Sequence, residues 1–188
     1  TGSPKGVVLS HRNMLSGAQS VASYLENTSS DCLLAALPFS FDVGFSQLST
    51  AFVTGARVVL HDYFLPKDLL KVVESEKVNC ITGVPPFWMQ LADLEWPSSI
   101  GSQIRYFANT GGKMPRSLLD RLRARFPNAR PYLMYGLTEA FRSTYLPPEE
   151  VDRRPDSIGK AIPNAEILVV REDGEICKPG ESGELVHR

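Results

Sequence analysis

The stretch VNCITGVPPFWMQLADLEWPSSIGSQIRYFANTGGKMPRSLLDRLRARFPNARPYLMY (78–135) decides the fold. Three short apolar runs stand in it: VNCITGV (78–84), IRYFAN (104–109) and ARPYLMY (129–135). Each is nearly continuous rather than alternating, as expected of strands covered on both faces. Helical segments separate them. PFWMQLADLE (86–95) looks helical, and Pro115 opens RSLLDRLRARF, whose Leu119, Leu122 and Phe126 recur at helical spacing. Proline's fixed φ and missing N–H suit the first turn of such a helix.

The same alternation runs back toward the amino terminus. CLLAALP (32–38) and ARVVLH (56–61) read as strands, residues 44–53 as a short helix, and Pro66 opens a helix through KDLLKVVESEK. Val7–Val8–Leu9 is expected to form a further short strand, followed by Ser10 as the N-cap of a helix reaching about Leu25. Strand–helix–strand repetition predicts an α/β fold, a mainly parallel sheet with flanking helices. After about residue 142 the character changes. Pro147–Pro148, Pro155 and Pro163 break the chain, and EILVV and CKPGESGELV look like strands joined by turns, with Asp173–Gly174 a hairpin signal. An antiparallel β segment is therefore expected from about residue 157. Two parts follow: an α/β subdomain over 1–142, and a linker with the start of a β-rich subdomain over 143–188.

The chain has 188 residues, enough to bury a core, with 22% charged residues and a formal net charge of -1. That balance supplies no field favouring nucleic acid or an anionic membrane, and no basic stretch is interleaved with aromatics. Cys32, Cys80 and Cys177 lie far apart, and His11, His61 and His187 add no metal-ligand spacing. Buried thiols and a reducing, cytoplasmic setting are the expectation. No apolar run is long enough to span a bilayer, and no signal-peptide pattern stands at the start. The chain opens at Thr1 inside TGSPKG, without an initiating Met, and stops at Arg188 just after GELVHR. It is expected to be an internal piece of a longer protein, inactive by itself.

In an open parallel sheet, ligands bind beyond the carboxyl ends of the strands. The loops there read PFSFD (38–42), HDYF (61–64), VPPFW (84–88), NTGG (109–112) and YGLTEA (135–140). In YGLTEA an aromatic face can cover a base, a hydroxyl can donate to phosphate, and a carboxylate can hold Mg²⁺, a hard cation that prefers oxygen. The alternative is a strand running into a helix capped by Thr138, with Glu139 in its first turn. In NTGG the paired glycines let the backbone approach a flat ligand, or simply make a tight turn. TGSPKG offers backbone N–H groups and a lysine to negative charge, without the spacing of a P-loop. Its bland counterpart is a solvated Lys5.

In this order the segments resemble the adenylate-forming superfamily of acyl-CoA ligases, peptide-synthetase adenylation domains and luciferases. TGSPKGVVLSHRN is similar to the second half of that family's phosphate loop, and PFSFD, NTGG and YGLTEA resemble its later motifs. GEL (183–185) resembles the opening of the next. The stretch YGLTEAFRSTYLPPEEVDRRPDSIGKAIPNAEILVV resembles most the acyl-CoA ligase-like proteins associated with exosortase and exopolysaccharide systems. The resemblance implies a two-step reaction. A carboxylate attacks the α-phosphate of MgATP to give an acyl adenylate and pyrophosphate. The thiol of coenzyme A, or of a carrier-protein phosphopantetheine arm, then takes the acyl group. Residues 1–142 would be the nucleotide- and acyl-binding part.

By the same resemblance, Lys5 with Thr1, Gly2 and Ser3 would hold the β- and γ-phosphates. Gly111, Gly112 and Lys113 would line the adenine, and Tyr135, followed by Gly136, would stack on it. Thr138 would contact the α-phosphate, and Glu139 would bind Mg²⁺. Asp42 stands where amino-acid-activating relatives pair an aspartate with the substrate ammonium; otherwise it caps a helix starting near Val43. Val84, Phe87 and Trp88 would wall the acyl pocket, or belong to the core. The implied partners are a small carboxylate substrate and, as one of two acceptors, an acyl carrier protein.

Overall fold

A computed structural model describes Ser3 and residues 5–188. A seven-stranded sheet carries the α/β fold. Its strands are β1 (Cys32–Ala35), β2 (Arg57–Leu60), β3 (Cys80–Gly83), β4 (Tyr106–Asn109), β5 (Arg130–Tyr135), β6 (Thr144–Leu146) and β7 (Lys160–Ala161). They lie in the order β2-β1-β3-β4-β5-β6-β7. The first five are parallel, and β6 and β7 add antiparallel pairs at one end. A separate antiparallel pair joins β8 (Ile167–Val170) and β9 (Glu184–His187).

Helices cover both faces, which explains the unbroken apolar runs. On one face α1 (His11–Tyr24) and α2 (Asp42–Thr54) pack Val21, Tyr24 and Ala51 against Leu33, Cys80, Tyr106 and Tyr132. The other face holds α3 (Pro66–Ser75), α4 (Pro85–Ala92), α5 (Ser98–Gln103) and α6 (Arg116–Arg125). Leu69, Trp88, Leu91 and Leu122 from that layer meet Leu34, Ile81 and Phe107. Neighbours such as Leu33 and Leu34, or Cys80 and Ile81, thus serve opposite layers, as the two-residue period of a strand requires. Burial pushes the Cys32 and Cys80 thiols up, consistent with inert core residues. No helix among the described residues is long and apolar enough to cross a membrane.

Ser10 caps α1 as expected, its Oγ accepting the Asn13 N–H at 3.1 Å. Two expectations are corrected. Val7–Val8–Leu9 form no strand: Val8 is 96% exposed, and an extended segment with no paired neighbour has no ladder to hold it. Antiparallel pairing begins at Thr144, well before residue 157, because three residues ahead of Pro147 suffice to pair Leu146 with Leu133. The Asp173–Gly174 hairpin does form, with Arg171 N–H donating to the Glu175 carbonyl at 2.9 Å and Cys177 N–H to the Val169 carbonyl at 2.8 Å, but it is short, and β8 takes its longer pairing from β9.

Candidate functional site

Beyond the carboxyl ends of β4 and β5 lies a hollow of about 410 Å³, lined by Asn109, Gly111, Gly112, Met114, Tyr135 and Ile158 among others. Gly111 makes the turn out of β4 with φ +72°, and a Cβ there would stand 3.1 Å from Val84 Cγ1. Gly112 approaches Pro85 as closely. Gly111, Gly112 and Tyr135 thus line one slot-like hollow, with the two glycines packed closely on Val84 and Pro85 behind them. At its mouth Lys113 Nζ meets Asp156 Oδ1 at 2.6 Å, both side chains exposed. The hydrogen bond from Lys113 holds the Asp156 carboxyl below the usual carboxylate range.

Next to the slot, the loop after β5 doubles back at once. A Cβ on Gly136 would come 2.7 Å from Arg142 Cα, and the Ser143 N–H returns to the Tyr135 carbonyl at 2.9 Å. Within this fold-back Thr138 begins a turn, and no helix follows it, so the capped-helix alternative for Thr138 and Glu139 is set aside. Thr138 Oγ1 donates to Asp42 Oδ1 at 3.3 Å. Arg142, 1% exposed, pairs through Nη1 with Asp42 Oδ2 and also donates to the Phe141 carbonyl. Asp42 is the first residue of α2, and the N-cap position is Phe41, with no side-chain capping bond. The capping role expected for Asp42 is therefore corrected; its carboxylate is turned to Arg142 and Thr138 instead.

A second hollow, about 740 Å³, opens at the carboxyl ends of β1 and β2, lined by Leu37, Phe39, His61, Tyr63, Phe87 and Gln90 among others. Phe87 stands edge-on to Tyr63, with ring centres 5.0 Å apart. Trp88 is wholly buried, packed edge-on to Phe107, and belongs to the core rather than to this wall. The reason is helical geometry: adjacent residues of α4 point about 100° apart, so both cannot face the opening. Val84 precedes α4 as its N-cap residue and packs toward Gly111.

The structure thus unites Gly111, Gly112, Lys113, Tyr135 and Gly136 around one slot and joins Thr138 to Asp42. Glu139 is exposed and lines a different hollow, with Asn13, Ser20 and His187. Ser3 and Lys5 are exposed upstream of α1, and Thr1 and Gly2 lie outside the described residues. No three His, Cys, Asp or Glu among the described residues cluster to hold a metal.

The profile of the family described as "AMP-binding enzyme" matches residues 1–188. The chain belongs to the AMP-binding enzyme family. Similar members of this AMP-binding family include the D-alanine--D-alanyl carrier protein ligase of Bacillus licheniformis, 30% identical over 99% of this chain and 39% of that protein. The 2-succinylbenzoate--CoA ligase of Bacillus subtilis is 34% identical over 99% of this chain and 37% of that protein. Among solved structures, the O-succinylbenzoate coenzyme A synthetase of Bacillus subtilis, in complex with ATP and magnesium ion, superposes with a TM-score of 0.88 at 31% identity. It covers 100% of this chain and 39% of that one. The chain spans about two fifths of the length of these relatives.

Two residues of the candidate site escaped the sequence reading. Arg142 follows YGLTEA by two positions, but its partner lies 100 residues away, and no local pattern announces such a pair. Asn109 belongs both to the strand run IRYFAN and to NTGG, and a polar residue ending an apolar strand was the available signal.

Proposed function

We propose that the protein of which this chain is part activates a carboxylic acid with MgATP as an acyl adenylate and passes the acyl group to a thiol. The glycine-walled slot over β4 and β5, with Tyr135 beside it, carries this reading, because bare backbone and an aromatic residue in one lining suit a flat ring. Thr138 lies just after that slot and would turn its hydroxyl from Asp42 to meet the α-phosphate; Lys5 with Thr1, Gly2 and Ser3 would meet the β- and γ-phosphates. A carboxylate is already a nucleophile, so the first step needs alignment and neutralisation of charge more than a general base.

Mg²⁺ fits this residue set in one way. Glu139 is a single exposed carboxylate that lines the hollow beside the slot rather than the slot itself, so it would reach a phosphate-bound cation through water or phosphate oxygens completing the shell. Its contribution would be charge neutralisation at the phosphates. The apolar hollow beside Phe87 supports an acyl substrate, and the thiol acceptor is coenzyme A or a carrier-protein phosphopantetheine arm.

Activation of an amino acid for carrier loading is the second reading, supported by likeness to the carrier protein ligase. Asp42 weighs against it: its charge is already neutralised by the buried Arg142 and its other oxygen accepts from Thr138, so a substrate ammonium would have to compete with a guanidinium held in place. An acid without an α-amino group is therefore the substrate class proposed. The stretch 135–170 supports the narrower placement among exosortase-associated, exopolysaccharide-linked ligases, and the spaced cysteines support a cytoplasmic setting. ATP–pyrophosphate exchange by the full-length protein, run across a panel of carboxylates, tests the reading. Exchange with non-amino acids is expected; silence across the panel would overturn it.

A further inference from the structure

The second hollow, beyond the carboxyl ends of β1 and β2, is walled mostly by apolar side chains, but two of its polar residues meet. Tyr63, in the loop after β2, stands edge-on to Phe87, and its hydroxyl donates to Gln90 Oε1 at 2.6 Å. Burial pushes the Tyr63 hydroxyl above its usual pKa, so it keeps its proton and donates. That bond fixes the roles at both ends. The one hydroxyl proton is used, so toward any further group the Tyr63 oxygen can only accept. An amide oxygen can only accept, so Nε2 of Gln90 keeps both its N–H donors without a partner among the described residues. Gln90 is exposed, so these donors stand open to a ligand in the hollow. Asp62, also exposed, is the acidic residue of the lining, and no lysine or arginine stands in it among the described residues.

We infer that this hollow takes an acid carrying a hydroxyl at its far end, held between Gln90 and Tyr63. The inference rests on the reading of the hollow as the acyl site and names the class of acid. Leu37, Phe39 and Phe87 cover the body of the chain and accept any apolar one. The far end is where acids differ. A hydroxyl oxygen accepts from a Gln90 N–H while its proton goes to the Tyr63 oxygen, so the donor and the acceptor left over by the Tyr63–Gln90 bond are both used. A methyl end serves neither and strips water from both. A second carboxylate has no proton for Tyr63 and meets Asp62 with no cation in the lining to offset the charge. A terminal ammonium, a donor only, sets its charge against the Gln90 N–H groups.

The test is ATP–pyrophosphate exchange by the full-length protein on straight-chain acids across a series of lengths, each acid ending in methyl, hydroxyl, carboxylate or ammonium. At the length that reaches Gln90, the hydroxyl form is expected to exceed the methyl form in kcat/KM by about tenfold, the worth of one well-placed hydrogen bond. The two charged forms are expected to fall below both. Gln90→Leu, similar in size but without donors, is expected to take the methyl and hydroxyl forms alike. Tyr63→Phe, which keeps its ring against Phe87, is expected to lose part of the preference. Because the readout is a ratio within one protein sample, a general loss of activity does not move it. Equal use of the methyl and hydroxyl forms by wild type overturns the inference and leaves the adenylate reading standing, as does exchange with other carboxylates but none of the series. A preference undiminished in Gln90→Leu also overturns it. Silence with every acid overturns both.

Discussion

Gly111 shows how much a missing side chain can decide. Its φ of +72° strains any L-residue, and a Cβ would press on Val84 at 3.1 Å. Gly111→Ala is expected to cost about 1–2 kcal/mol of stability and to weaken nucleotide binding by about tenfold, since the turn would open the slot. Thermal melting and calorimetry on the same sample check the two effects. Arg142 makes the opposite case, a charge held at 1% exposure by one carboxylate. Truncating one partner of such a pair strands the other, so Arg142→Met is expected to cost about 3 kcal/mol. The double variant Asp42→Asn with Arg142→Met should recover part of that loss, as urea denaturation of the four proteins of the cycle would show. Asp42 and Thr138 were legible as unusual residues, since each sits in a loop just beyond a strand. That they answer to each other across 96 residues was not legible, because a hydrogen bond between distant segments leaves no mark on either one.

At the level of elements, the sheet's opposite edge has its own charged group. Asp31, just before β1, accepts from Arg105 Nε at 2.9 Å and Nη2 at 2.8 Å, from the Thr28 N–H at 2.9 Å and from Asn79 Nδ2 at 3.1 Å. Burial pushes its carboxyl up, but the bonds from Arg105 and Thr28 outweigh that and hold it below its usual value of 3.8. A carboxyl depressed on folding adds stability that is fully present above the unfolded value and drains away as pH falls through the folded one. Acid unfolding of wild type is therefore expected to steepen below about pH 4, and Asp31→Asn should flatten that limb while lowering stability at neutral pH. Denaturant midpoints followed across pH 2–7 check the sign. Most elements were legible here. The five parallel strands and their long helices carry their apolar periodicity openly, and Ser10, Pro66 and Pro115 mark helix starts. Both α5 and β6 were missed: SSIGSQ has a single large apolar residue, and TYL is too short for any period to show.

Across the whole molecule the chemistry-bearing loops gather at one edge of the sheet and the Asp31–Arg105 clasp at the other. Strand direction enforces this division, since five parallel strands point all their carboxyl ends the same way. It is also why a list of loops drawn from the chain could place the slot before any coordinates. The position of Glu139 was beyond that reasoning: one turn after Thr138 the chain reverses, with Phe141 in the left-handed region at φ 65°, and neighbouring residues come to face different hollows. Val84 occupies the seam of the arrangement. It packs against the turn at Gly111, beside the first hollow, and, as the residue before α4, leads into the helix that carries Phe87 and Gln90 to the second. Val84 lines neither hollow, yet it braces a segment of each, so a substitution there is expected to disturb both. On the function proposed above, a change of acid preference won through Val84 would carry with it a change in the grip on the nucleotide.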